Sequence, residues 1–495
     1  MVVHKWIKFL GAIARSWVLI SLSDATSPLP PTPLSQGEGS QFNSCSFSHW
    51  EKVRTTPFNG ALHICCFLTL CLSLLLIGCQ PQPASNVTHL TLWQGVNPPP
   101  NRDVLQALVN KFNQQHSDIQ VESLYVGQGD QQIPKILAAV VGNAAPNLLW
   151  YAPMITGQLV ELDALKPLDE WLAASPLKSE VDPALEESTQ YQGQTWSVPF
   201  GTNNVGIYYR PSLFKATGIE KLPKDWSEFR QVAKQLTRDT NGDGRPDQHG
   251  MLLPLGKGEW TVFMWLPFMW SGGGDLTQQK TVLQFGNSIN SGSVVQTDIN
   301  IANAGAIAAL QLWQNLVQDG SAILSQPERG YELDSFLAGK VAMQLSGPWT
   351  LGQLQASKAD FGVLPIPKGA QLGTAMGGEN LFIFKSTPEQ ERAAFTFAEY
   401  VMSEAFQTEW AIGTGYLPTN LKSRESQAYR DFRAKQPAVD VFLSQAKYGR
   451  SRPIFPGYNR ISDNLGRAIE ATLLNRKSPQ EALSDSQQRL DLIFK

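Results

Sequence analysis

Cysteine runs out early in this chain. Of 495 residues five are cysteines, Cys45, Cys65, Cys66, Cys71 and Cys79, and none follows position 79. A chain cut before Cys79 keeps a single thiol and no internal disulfide. A disulfide scaffold, a thiol enzyme and a cysteine-based zinc site all lose support. Histidine is nearly as sparse, with His89, His116 and His249 alone beyond Cys79. There is no H-E-x-x-H pair, no G-x-S-x-G elbow and no P-loop, and Gly127-Gln128-Gly129 lacks a third glycine at dinucleotide spacing. Charge is scarce too: 17% of residues are charged and the net charge is −3, so no basic footprint for nucleic acid is present. A glycosidase working through two carboxylates survives these absences, because its pair need not be close in sequence. It stands as the alternative class to a binding protein.

What is abundant is apolar and loop-forming sequence: 42% hydrophobic residues, 40 glycines and 32 prolines. The length exceeds one ordinary core and points to two domains plus extras. Residues 61–78 (ALHICCFLTLCLSLLLIG) form an apolar run preceded by Lys52 and Arg54, the pattern of a secretory signal. Its end, Leu76-Ile77-Gly78-Cys79, resembles a bacterial lipobox, which implies lipidation of Cys79 and a membrane anchor through the acyl chains. A plain transmembrane anchor is the competing reading, since eighteen apolar residues reach the lower limit for a span. The polar, Pro-containing stretch after Cys79 suits a tether. The expected division is a leader outside the fold at 1–52, with the true start near Val53, a lipoprotein signal at 53–78 and a tether at 79–88.

Beyond the tether, strand and helix patterns alternate. His89 to Trp93 alternates polar and apolar residues, and Asn101 is placed to cap a helix carrying Leu105, Leu108, Val109 and Phe112 on one face. Residues 119–126, 133–141 and 147–150 continue as strand, helix and strand. This order predicts a parallel sheet covered by helices, an α/β fold. Asp225-Trp226-Ser227-Glu228, Thr387-Pro388-Glu389-Gln390 and Ser478-Pro479-Gln480-Glu481 each read as a helix start.

Several stretches together resemble family 1 extracellular solute-binding proteins, the maltose-binding and glycerol-3-phosphate-binding group. Pro199 through Arg210 (PFGTNNVGIYYR) is similar to that family's first interlobe crossing, with Arg210 where asparagine is usual. Residues 361–368 (FGVLPIPK) with Gly377-Gly378-Glu379-Asn380-Leu381 resemble the second crossing, and Gly415-Tyr416-Leu417-Pro418 the third. Residues 336–343 (FLAGKVAM) and the C-terminal helices from Ile461 complete the likeness over about residues 88–493. The resemblance implies a two-lobed periplasmic-binding-protein-like fold of type II with several crossings at a hinge. Lobe one would hold 89–200 and 379–412, and lobe two 205–375 and 416–495. It also implies a monomer outside the cytoplasm that captures a small carbohydrate in the cleft and delivers it to the permease subunits of an ABC importer. Glycerol 3-phosphate or a glycerol glycoside is the alternative ligand.

A sugar site needs aromatic platforms and amide or carboxylate hydrogen-bonders. Fourteen tryptophans are present, three of them (Trp6, Trp17, Trp50) before Cys79. Trp93 and Gln94 end the first strand, where crevices open in α/β sheets. Trp260 and Trp349 follow Gly-containing loops; each reads either as a cleft platform or as core packing. Trp171, Trp226, Trp313 and Trp410 sit in helical patterns and read as core. Asn203 and Asn204 can donate and accept, Gly377 and Gly378 permit close backbone approach, and Glu379 follows them. By the resemblance, Tyr416 and Arg460 join the ligand set, with the register around Arg460 uncertain by about two positions. Finally, Asp239, Asn241, Asp243 and Asp247 fit D-x-N-x-D-G-x-x-D, a candidate structural calcium loop, although Gly250 stands where a bidentate glutamate belongs. No other cofactor is expected.

Overall fold

The computed structural model describes residues 87–284, 292–325, 332–454 and 456–494. The leader, the signal segment and Cys79 lie outside the described residues, as does nearly all of the tether. Everything below concerns the unit Pro83–Lys495.

Strand β1 (Thr88–Gln94) leads into helix α1 (Pro99–Gln115), then β2 (Ile119–Tyr125), α2 (Gln132–Val141) and β3 (Leu148–Tyr151). Helix α1 forms because Leu105, Leu108, Val109 and Phe112 recur at helical spacing and all are buried. Its start differs from expectation. Pro99 and Pro100 occupy the first turn, and Asn101 lies inside the helix rather than capping it. The Asn101 Nδ2 instead donates to Trp349 O at 3.2 Å, tying this helix to a loop far along the chain.

Strand β4 (Ser197–Asn204), buried throughout, continues past Val205 into β5 (Gly206–Tyr209). There follow α3 (Trp226–Leu236), β6 (His249–Leu253), α4 (Glu259–Ser271), α5 (Ala304–Gln318), β7 (Ala322–Leu324), β8 (Val341–Ser346) and β9 (Gly362–Leu364). Helix α4 is apolar on every side and buried from Thr261 to Ser271, the mark of a helix inside a core. Strand β10 (Thr374–Ile383) returns the chain, followed by α6 (Pro388–Met402), α7 (Glu404–Thr414), α8 (Pro437–Gln445), β11 (Gly449–Arg450), α9 (Tyr458–Leu473) and α10 (Pro479–Ile493). Ser478 forms a complete capping box with Glu481. Asp225 and Thr387 each accept the N3 amide, while the Glu228 carboxylate reaches Lys224 N instead.

Two sheets result. The first is six-stranded, in the order β11-β10-β3-β1-β2 with β4 also on β10. Strands β1, β2 and β3 are parallel as expected, but β10 runs antiparallel to both β3 and β4. The second is five-stranded, β7-β6-β8-β5-β9, and likewise mixed. The main apolar core runs from Leu90 and Phe112 through Trp265 and Trp313 to Leu465 and Leu483. A second cluster gathers Tyr208, Phe336, Leu354, Tyr429 and Phe442.

The chain passes between the sheets side by side at three places. Val205 N donates to Ala375 O (3.3 Å) and Thr374 Oγ1 to Val205 O (2.7 Å). Leu417 and Thr202 exchange backbone bonds of 2.8 and 3.2 Å. This is the two-lobed type II arrangement. The Gln445 amide clamps the junction: Nε2 donates to Asn204 Oδ1 (2.6 Å) and Val205 O (2.8 Å), and Oε1 accepts from Ile366 N (3.4 Å).

Candidate ligand cleft

A cavity of about 1950 Å³ runs along the crossing strands. Its floor includes Gly201 and Thr202 of β4 and Met376, Gly377 and Gly378 of β10. One wall carries Pro153 and the 182–192 loop, the other Asp275, Asp298 and the 449–454 stretch. A smaller cavity of about 250 Å³ lies between Tyr151 and Met154 on one side and Glu259, Tyr458 and Ser462 on the other.

The glycine pair is fixed by crowding. A Cβ at Gly377 would collide with Asn203 Oδ1 and come 2.7 Å from Phe263. Gly378 has φ +117°, and a Cβ there would run into Gly201 O. The floor is therefore bare backbone, flanked by side chains packed tightly against it.

Asn203 lies under this floor, 2% exposed, and its Oδ1 has no hydrogen-bond partner among the described residues. Asn204 differs from its neighbour. Its Nδ2 donates to Phe442 O (2.9 Å) and its Oδ1 accepts from Gln445, so both amide atoms serve the hinge rather than a ligand. Trp349 is buried, with its ring 6.0 Å from Trp260 at 64° and 6.5 Å from Phe263. The two expected platforms thus meet, and Phe263 joins them.

Other residues fall elsewhere. Gln94 is buried and folds its Oε1 onto Val96 N at 2.8 Å, while Trp93 packs on the core; neither lines the cavity, because the turn after β1 draws them inward. Tyr416 is buried against Trp410 (5.3 Å) beneath Gly201, a second-layer position. Arg460 is exposed on α9, away from the cleft.

The arginine that does line the cavity is Arg452, 9% exposed. Its Nη1 donates to Glu259 Oε1 at 2.6 Å, and its guanidinium lies 4.5 Å over the Phe263 ring. Burial opposes its charge, but the Glu259 carboxylate, Tyr458 and the Glu379 carboxylate outweigh burial and raise its pKa. Glu379 therefore acts on the cleft through this field. The other arginines lining the cavity are also paired, Arg450 with Asp275 (2.8 Å) and Arg424 with Asp182 (2.6 Å). Glu259, Phe263 and Arg452 were not singled out from sequence. Their local signal was the Glu259-Trp260 pair opening an apolar helix and the Arg450-Ser451-Arg452-Pro453 run.

The candidate calcium loop turns its donors on itself. Asp239 accepts from Gly242 N (2.6 Å) and Gly244 N (2.7 Å), Asn241 from Asp243 N (2.9 Å), and Asp247 from Thr240 Oγ1 (2.6 Å). The Gly244 amide leads in holding Asp239 below the usual carboxylate range. Among the described residues no three His, Cys, Asp or Glu side chains converge as they would to hold a metal. Among the same residues no helix is long and apolar enough to cross a membrane.

Comparison with known proteins agrees with this geometry. The model of a family described as bacterial extracellular solute-binding protein matches residues 107–436. A putative binding protein of Brucella abortus is 23% identical over 312 residues, covering 61% of this chain and 69% of the relative. The sn-glycerol-3-phosphate-binding periplasmic protein UgpB of Pectobacterium atrosepticum is 21% identical over 440 residues, covering 85% and 93%. Among solved structures, the GacH receptor of Streptomyces glaucescens, known unliganded and with acarbose, superposes with a TM-score of 0.69 at 23% identity, covering 82% of this chain and 97% of that one. UgpB of Mycobacterium tuberculosis with glycerophosphocholine gives 0.70 at 20% identity, covering 82% and 98%.

Proposed function

The chain belongs to the bacterial extracellular solute-binding proteins, and on that premise we propose that it captures a neutral carbohydrate in the interlobe cleft for an ABC importer. Its role is substrate binding outside the cytoplasm, and the members of its family are not enzymes. The observation that carries the neutral ligand is electrostatic. Each arginine lining the cavity already has a carboxylate partner, and the other charged lining residues are one lysine, Lys447, against Glu187, Asp298 and Asp491. The Trp260, Trp349 and Phe263 rings pack on one another behind Arg452 rather than lining the cavity, and the aromatic side chains of the lining are Tyr191 and Phe494, whose faces suit the C–H patches of a sugar. The volume exceeds what one hexose fills, in keeping with a di- or oligosaccharide.

Thr202 and the Gly377–Gly378 backbone supply hydrogen-bonding groups at the floor, with Asn203 packed beneath them. A ligand that touches both walls favours the closed arrangement by its differential affinity. Lipidation at Cys79 would hold the protein at the membrane near its permease. Metabolic acyl labelling that vanishes in Cys79→Ala tests that part.

The test of the ligand class is a thermal-shift screen followed by calorimetry, since bound ligand raises stability by mass action. Neutral di- and oligosaccharides should raise the melting temperature, with compaction by small-angle scattering. Stabilisation by glycerol 3-phosphate and by no neutral sugar would overturn the reading. That second ligand class keeps its place because curated relatives bind it and Arg452 is a guanidinium on the cleft wall. Release of hydrolysis products would overturn the binding-only role.

A further inference from the structure

Glu259 opens α4 between the two cavities: it lines the smaller, and its partner Arg452 lines the larger. Its carboxylate is the hub of a buried network. Oε1 accepts from Arg452 Nη1 (2.6 Å) and from Tyr458 OH (3.2 Å), and Oε2 accepts from Ser462 Oγ. The two side chains of the ion pair are 8% and 14% exposed. A guanidinium so enclosed, with one carboxylate bonded and the Glu379 field beside it, presents N–H groups without presenting a net positive charge. An incoming phosphate would have to part Glu259 from Arg452 or lie against its carboxylate, and two anions in contact on a buried wall repel each other.

We infer that Glu259 is the specificity-determining residue of the cleft: it cancels the charge of Arg452 while leaving that arginine in place as a wall, and thereby turns away anionic ligands in favour of neutral ones. The inference rests on the proposed ligand cleft and adds a cause for its selectivity. Discrimination here comes from an installed repulsive group as much as from attractive contacts. A purely structural ion pair predicts otherwise: its loss would lower stability and leave ligand preference alone.

The test uses the purified protein with inorganic phosphate and sn-glycerol 3-phosphate as probes, read by calorimetry at two salt concentrations. The unaltered protein should show no stabilisation by either probe at millimolar concentration. Glu259→Gln keeps the shape and the hydroxyl contacts but frees the guanidinium. It should gain at least tenfold in affinity for both probes, with a gain that shrinks at high salt. The Glu259→Gln/Arg452→Gln double variant should lose that gain. An E259Q protein that folds and binds the probes no better than its parent overturns the inference. Should E259Q fail to fold, the unaltered protein still decides: protection by phosphate overturns the inference, and its absence alongside protection by neutral sugars supports it. A parent protein that takes neutral sugars while E259Q gains nothing sinks this inference alone. A parent that takes phosphate and no sugar sinks the proposed ligand class as well.

Discussion

Asn203→Ala should cost the empty protein little or nothing, which is unusual for truncating a buried residue. The side chain is 2% exposed and its Oδ1 has no hydrogen-bond partner among the described residues. A buried acceptor left unsatisfied costs about 1–3 kcal/mol, and removing it returns that amount. Against this stands the hole left by the carboxamide. Roughly 30 Å³ of lost volume at about 24 cal/mol per Å³ is about 0.7 kcal/mol. The expected outcome lies between no change and about 2 kcal/mol of stabilisation, where a typical point change destabilises by about 1 kcal/mol. Urea unfolding reads it as a midpoint that holds or rises at constant slope.

The same change should weaken the neutral ligand. The amide packs directly under Gly377, so its truncation loosens the backbone floor beneath the ligand and should cost roughly three- to tenfold in affinity. Calorimetry on the carbohydrate found in the screen measures this. Destabilisation of 3 kcal/mol or more in the empty protein would show that the amide is bonded within the fold, and would refute the reasoning. Unchanged affinity with unchanged stability would refute its functional half.

Other outcomes follow from the same geometry. Trp349→Ala removes a buried ring wedged between Trp260 and Phe263 and should cost about 3–5 kcal/mol in urea unfolding, with Trp349→Phe recovering most of it. Gln445→Leu strands Asn204 Oδ1 and Ile366 N and leaves Val205 O with Thr374 Oγ1 alone, and should destabilise by about 2 kcal/mol while broadening the interlobe distances measured between spin labels. Asp319 accepts from Arg230 at 2.5 and 2.8 Å, and that guanidinium above all lowers its pKa. A depressed carboxylate contributes stability above its unfolded pKa and loses it as pH falls through the folded value. Asp319→Asn should therefore be less stable by about 1 kcal/mol at pH 7, with the gap closing below about pH 4; an equal gap at pH 3 and pH 7 would contradict it.

What could be read along the chain was what depends on neighbours in sequence. The period of two in β1 and the buried stripe of α1 are local, and both stand where expected within a residue or two. The prolines at 98–100 outcompeted Asn101 as the start of α1, since a ring with fixed φ suits the first turn. The antiparallel course of β10 could not be seen, because strand direction depends on where the chain re-enters a sheet. Asn203 and Asn204 show the limit most sharply. They are identical in type and adjacent, yet strand alternation sends one beneath the glycine floor and the other into the Gln445 clamp. The spacing of Asp239, Asn241 and Asp243 was legible, while the turn that folds the Gly242 and Gly244 amides onto Asp239 was not.

The choice between Arg460 and Arg452 turns on a helical argument that the sequence did contain. In α9, Tyr458, Ile461, Ser462 and Leu465 are all buried, and at 3.6 residues per turn they share one face. Residue 460 stands two positions from Tyr458 and two from Ser462, which puts it on the opposite side, and it is exposed. Once Tyr458 and Ser462 reach Glu259, no rotation of the helix brings Arg460 to the same carboxylate. The stretch before Gly457 lies outside that helix. Arg450 pairs in β11 with Ala375, and the chain from Gly449 to Ile454 runs along the cavity wall and carries Arg452 with it. The cation that meets Glu259 comes from the extended stretch, and an arginine moved from 452 to 460 should not reach that carboxylate. The Arg452→Ser variant should accordingly resemble a protein with an unpaired buried carboxylate, losing about 3–5 kcal/mol by urea unfolding with Arg460 still in place. Stability within 1 kcal/mol of the parent would mean that Glu259 finds its counter-ion elsewhere.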